Sequence, residues 1–155
     1  MKKSKPCIIA GIILGAFLIS SFPCNAKTEY TELQGDCIEL SQEDAQLLMQ
    51  VAQAEAGNQG IDGMWLVMSC VMNRVSDPDW PDSISKVIYQ KSQFAKPAKV
   101  KDISSDAHLA LAKLESGLIC PEIIGFEVSK SDKLTRYFDE AFEYKDHKFF
   151  TKNDK

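Results

Sequence analysis

Histidine is scarce in this 155-residue chain: there are two, His108 and His147, and neither belongs to an HExxH run, nor is there a CxxC pair. A catalytic zinc ion needs about three His, Cys, Asp or Glu ligands in usable geometry, so no metal site and no cofactor are expected. The GxSxG elbow that exposes a nucleophilic serine is also missing. Basic residues are in the minority, 18 against 22 acidic ones. Lysine and arginine must neutralise phosphates in non-specific nucleic-acid binding, so that partner class is disfavoured. Internal repeats, low-complexity tracts and sustained heptads are absent as well, which leaves one ordinary globular domain as the expectation.

The single long apolar run lies at the start. Lys2, Lys3 and Lys5 precede an apolar stretch from Ile8 to Ile19, and Cys24-Asn25-Ala26 supplies small residues three and one before a cleavage point. Those are the three parts of a secretory signal, too short to span a bilayer comfortably. Ser21-Phe22-Pro23 ahead of Cys24 lacks the small-residue pattern of a lipobox, which favours soluble export over a lipoprotein; an uncleaved anchor is the remaining alternative. Residues 1–26 are therefore assigned as a signal peptide, with no stable membrane insertion after cleavage. The remainder has 15 basic and 22 acidic residues, a formal charge of −7. Its three cysteines, Cys37, Cys70 and Cys120, are an odd number. Cys70 falls in an apolar helical stretch, leaving Cys37 with Cys120 as a possible disulfide in an oxidising compartment.

Residues 27–40 are polar and aperiodic and read as a flexible arm; residues 41–155 read as the folded domain. Ser41 is placed as a helix N-cap, with Asp44 three residues on able to reach back. Leu48, Val51 and Ala52 make one face of that helix, and one further turn reaches Glu55. Met64 to Val75 is apolar nearly all round, the pattern of a central helix enclosed by others. Arg74 at its end suits a helix C-terminus, where it meets the dipole and can cap the last carbonyls. Pro78 and Pro81 enforce a loop. A short helix capped by Asp82 or Ser83 should bury Ile84, Val87, Ile88 and Tyr89. Another, capped by Ser104 or Ser105, should run through Ala107, Leu109, Ala110, Leu111 and Leu114 to Gly117. His108 within it reads as a surface residue. Short extended segments are expected from Ile119 to Val128 and near Asp146 to Phe150, while Lys133 to Tyr144 is ambiguous. The fold class is mostly α with a few short β segments.

Glu55 has two readings. On an apolar stripe, ending a helix before the Gly57-Asn58-Gln59-Gly60 turn, it would be partly desolvated, with the raised pKa that a general acid requires. As an ordinary helix-end carboxylate it would lean into solvent or pair with a lysine. Gln93 and Phe94, where a helix gives way to a loop, suit an amide and an aromatic lining a cleft, or alternatively a buried ring beside a solvated amide.

The run AEAGNQGIDGM, a hydrophobic helix ending in VMNRV, a proline turn before ISKVIYQ, then QF and finally HKFF resembles the SleB/CwlJ-type cell-wall hydrolase family over about Glu43 to Phe150. The resemblance implies a lysozyme-like or lytic-transglycosylase-like single domain that acts on peptidoglycan glycan strands, in known cases spore cortex. It implies Glu55 as the catalytic glutamate, with Asn73, Gln93, Phe94 and His147 at the family's substrate-contacting motifs. Two features depart from the family pattern: Lys96 to Asp102 is lysine-rich where an Asp-Gly motif is common, and Asp146 precedes the late histidine where Asn or Gly is usual. Both bear on cleft shape and substrate preference. Cleavage between N-acetylmuramic acid and N-acetylglucosamine as a lytic transglycosylase needs no second carboxylate, whereas hydrolysis normally does, with Asp62 and Asp79 as the candidates. A secreted non-catalytic glycan-binding protein and a muramoyl-L-alanine amidase are the competing readings.

Overall fold

The structure, a computed structural model, describes residues 36–97 and 100–153. The assigned signal peptide and most of the arm, up to residue 35, lie outside the described residues. Among the described residues four helices and a three-stranded antiparallel sheet follow in chain order: α1 (Gln42–Ala56), α2 (Gly60–Ser76), α3 (Ile84–Ile88), α4 (Ser105–Glu115), β1 (Gly125–Val128), β2 (Phe138–Tyr144) and β3 (His147–Lys152). A 3-10 turn over Leu134–Arg136 leads into β2.

The helix starts follow their caps. Ser41 Oγ accepts from Asp44 N at 3.0 Å, and its hydroxyl meets the Asp44 carboxylate instead of Asp44 reaching the Ser41 backbone. Ser83 and Ser104, not Asp82 and Ser105, cap α3 and α4. Helix α4 stops where Gly117 takes a φ of 88°, a conformation that costs a Cβ-bearing residue far more than glycine. Helix α2 is the enclosed one: Met64, Val67, Met68, Cys70 and Val71 have almost no exposure, and α1, α3, α4 and β1 all pack on it. Leu48, Val51 and Ala52 of α1 are fully buried against it, as their spacing requires.

Three details differ from the expectations or add to them. Tyr89 is 65 % exposed, not buried, because α3 ends at Ile88. Cys120 carries a free thiol, so the Cys37–Cys120 bridge is not formed. The last part of the expected arm is docked: Ile38 N donates to Glu115 O at 2.9 Å, and Ile38 and Leu40 pack on the helical core.

In the sheet, β3 lies between β1 and β2, with Phe126 opposite Phe149 and Val128 opposite His147. Phe149 and Phe150 are buried to 0 % exposure, so the expected terminal strand is the sheet's core strand. The β2–β3 turn is fastened to the α1–α2 turn by Gln59. Its amide donates to Asp146 Oδ2 at 3.1 Å and accepts from Asp146 N at 3.3 Å, while Lys145 Nζ donates to its carbonyl. Gly63 makes room for this lock, since a Cβ there would lie 2.2 Å from Gln59 Cβ.

Candidate active site

The lock sets the end of α1 beside the start of β3, and a cleft of about 800 Å³ opens there. Glu55, Arg74, Trp80, Gln93, Phe126, Glu127, Lys133, Tyr137 and His147 are among its lining residues. Glu55 is half-buried, and its Oε1 accepts a hydrogen bond from the Ala95 backbone N–H. That donor comes from the loop after Gln93-Phe94, which places the QF segment directly over the helix end. Among the described residues Oε2 has no hydrogen-bond partner, and it is not sealed from solvent. One carboxylate oxygen is thus held by the backbone while the other is left unpaired, on a side chain that lines the cleft.

His147 stands on the adjoining wall, 7 % exposed, with its ring 5.5 Å from that of Phe126. Burial holds its imidazole below the ordinary 6.5, against the opposing pull of the Glu55 and Asp146 charges. It is therefore predominantly neutral near pH 7. Its Nδ1 is buried without a hydrogen-bond partner.

Arg74 departs from its expected place. Instead of capping α2 it turns inward, 6 % exposed, with Nε donating to Ile124 O and Nη1 to Gln93 Oε1 at 3.1 Å. Its guanidinium lies 4.1 Å from the Trp80 ring centroid and 5.1 Å from that of Phe94. Burial lowers its pKa to about 10, with the Cys70 thiol as a smaller opposing influence, so it stays charged at neutral pH. A planar, weakly hydrated guanidinium stacks on aromatic faces at less desolvation cost than an ammonium. Arg74 thereby orients both Gln93 and Phe94, though sequence spacing shows neither its inward turn nor its two aromatic neighbours.

Of the residues singled out by sequence, Glu55, Gln93 and His147 converge on this cleft. Phe94 packs behind it, half-buried and 6.0 Å from Phe126. Asn73 is directed elsewhere: its Nδ2 donates to Cys120 O at 2.9 Å and Ile123 O at 2.8 Å, tying α2 to the approach to β1. Neither carboxylate weighed as a partner for Glu55 lines the cleft. Asp62 pairs with Lys113 at 2.9 Å, and Asp79 with Lys152 at 2.8 Å. The second cleft carboxylate is Glu127, which sequence reasoning missed because it falls in a four-residue strand with no motif around it. No group of three or more His, Cys, Asp or Glu residues among the described residues is arranged to hold a metal ion.

A family model described as Cell Wall Hydrolase matches residues 58–149. The chain belongs to the cell wall hydrolase family. It is by class a peptidoglycan-lytic enzyme, and the matched span begins three residues after Glu55. Two solved structures share the fold. The catalytic domain of the Bacillus cereus SleB protein superposes with a TM-score of 0.64 at 20% identity, covering 73% of this chain and 93% of that one. The catalytic domain of the germination-specific lytic transglycosylase SleB from Bacillus anthracis gives 0.64 at 19%, covering 72% and 97%. The family's lysozyme-like, lytic-transglycosylase-like fold is thus the fold of this chain. Among curated proteins none matches it.

Proposed function

We propose that the chain is an exported enzyme that cleaves the glycan bond between N-acetylmuramic acid and N-acetylglucosamine, with Glu55 as general acid and then base. Residues 1–26 serve as the export signal, and residues 41–155 form the catalytic domain. The observation that carries this is the Glu55 carboxylate itself, held at Oε1 by the Ala95 N–H, unpaired at Oε2 and carried on a side chain that lines the cleft. Protonated Oε2 donates to the glycosidic oxygen as the bond to the muramoyl C1 breaks. The resulting carboxylate takes the proton of the muramoyl 6-hydroxyl, whose oxygen closes on C1 as a 1,6-anhydro ring, and Glu55 ends protonated as it began. Gln93 and His147 contact the sugars from the cleft walls, with Phe94 supporting Gln93 from behind.

Support for the anhydro route over hydrolysis comes from Glu127. Its Oε2 already accepts from Ser131 Oγ at 2.7 Å and from the backbone N–H groups of Lys133 and Leu134, at 3.1 and 3.3 Å. Its Oε1 is sealed from solvent. A carboxylate so committed is poorly placed to activate a water, and the anhydro route needs none. The SleB of Bacillus anthracis, a germination-specific lytic transglycosylase, has the same fold, and spore cortex is accordingly the first substrate to test.

The test is mass spectrometry of muropeptides released from purified peptidoglycan and cortex by the exported chain and by Glu55→Gln. The expected products carry 1,6-anhydromuramic ends and fall at least about 10²-fold in the variant, the usual scale of lost acid-base catalysis. Reducing ends would assign a hydrolase. Chelator-sensitive, zinc-restored release of peptides would assign an amidase. No Glu55-dependent product from either substrate would assign a glycan-binding protein.

A further inference from the structure

The outer wall of the cleft, residues 131–138, contributes little to either hydrophobic core, yet it is firmly attached. Glu127 Oε2 gathers three donors from it, the Ser131 hydroxyl and the N–H groups of Lys133 and Leu134. Leu134 packs over Gly125 of β1, where an added Cβ would lie 3.4 Å from Leu134 Cδ1. Tyr137 N then closes the 3-10 turn on Leu134 O at 2.9 Å. A side-chain carboxylate, a packed leucine and a backbone turn thus hold one short segment, and that segment carries an aromatic side chain with no hydrogen bond or ring contact among the described residues. Tyr137 is 68 % exposed and lines the same cleft as Glu55.

Scattered exposed aromatics are ordinary and call for no explanation. Tyr137 differs in that it shares a cleft with the reacting carboxylate and sits on a fastened wall. Lys133 beside it lines the cleft too, with no ion-pair partner for its ammonium among the described residues. A pyranose has one apolar face of C–H groups and a rim of hydroxyls. An aromatic face takes the first and a cationic donor takes the second, at lower entropic cost when the backbone carrying the ring is already held.

We infer that Tyr137 is a sugar-stacking platform forming a glycan subsite on the outer wall of the cleft, and that Glu127 is the positioning residue that presents it. The occupant is the peptidoglycan glycan strand, because the wall is continuous with the site holding Glu55; the inference therefore rests on the glycan-cleaving reading above.

The experiment measures binding of soluble, purified glycan strands by calorimetry, in a Glu55→Gln background so that the ligand survives. Tyr137→Ala should weaken binding at least about fivefold, the scale of one aromatic contact. Tyr137→Phe should bind within about twofold of the parent, since the ring and not the hydroxyl makes the contact. Circular dichroism should show both folded, as Tyr137 is a surface residue. Glu127→Ala should weaken binding like Tyr137→Ala and raise hydrogen exchange at Lys133 and Leu134 while leaving α1 and α2 protected. Parent-like binding by Tyr137→Ala, or equal loss in Tyr137→Phe, overturns the inference. Loss of binding in Glu127→Ala without faster exchange in that wall overturns the positioning role. If the parent binds no glycan, both this inference and the glycan-cleaving reading fail. If it binds through Tyr137 while cleavage proves independent of Glu55, only the catalytic assignment fails.

Discussion

At the residue scale, position within the cleft separates functional from structural polar groups. His147 is buried with its pKa depressed, so in the native state it takes up a proton less readily than in the unfolded chain. Between the depressed native pKa and the ordinary value of 6.5 the unfolded state binds more protons, and stability rises with pH across that window. Its contribution is complete above 6.5 and is lost as pH falls toward the native pKa. Denaturant titrations at pH 7.5 and pH 5 should show that loss, and His147→Gln should lessen it. Asn73 gives the contrasting case. Asn73→Ala strips the Cys120 and Ile123 carbonyls of their donor and should cost about 1–3 kcal/mol by denaturant unfolding. A glycan contact at Asn73 would instead appear as weakened substrate binding at unchanged stability. Cys70 is fully buried, and burial pushes its thiol well above the ordinary range. Native protein treated with iodoacetamide should leave it unmodified, while the denatured chain reacts.

At the scale of elements, the site depends on two close approaches that glycines permit. A Cβ on Gly57 would lie 2.6 Å from the Gln53 carbonyl oxygen, so Gly57→Ala must shift the last turn of α1. Because Glu55 sits in that turn, the variant should lose activity out of proportion to a stability loss of about 1–3 kcal/mol. Activity assays paired with melting curves separate the two. Gly63→Ala drives a methyl into Gln59, the residue that locks the β2–β3 turn, and should cost a similar amount. In this case the hairpin carrying His147 is displaced along with the stability. Arg74 acts between elements too, joining α2 to Ile124 and Gln93.

At the scale of the whole molecule, helix α1 supplies the Glu55 carboxylate proposed as the acid, and the sheet supplies the adjoining wall of the cleft. The loop after α2 is drawn to the sheet by Lys152, whose ammonium meets Asp77 at 2.6 Å and Asp79 at 2.8 Å. These are surface pairs, and each is expected to contribute little on its own. No helix among the described residues is long and apolar enough to cross a membrane.

Helix α1 with its Ser41 cap, the enclosed α2, the stop at Gly117 and the terminal strand were all legible in the sequence. Each is written locally, in a capping side chain, an apolar period or a glycine, and local signals survive without knowledge of contacts. The position of Glu55 was legible in the same way, one turn beyond an apolar face and just before a glycine turn; its role is a proposal. What tertiary structure alone decided is which distant segments meet there. It turned Arg74 inward between Trp80 and Phe94, gave Asn73 to two backbone carbonyls, and brought Glu127 and Tyr137 to the cleft. Residues 127 and 137 lie more than seventy positions from Glu55, and no periodicity encodes a separation of that length. Sequence fixes which faces must be buried; only the packing of those faces against one another determines which exposed side chains share a cleft.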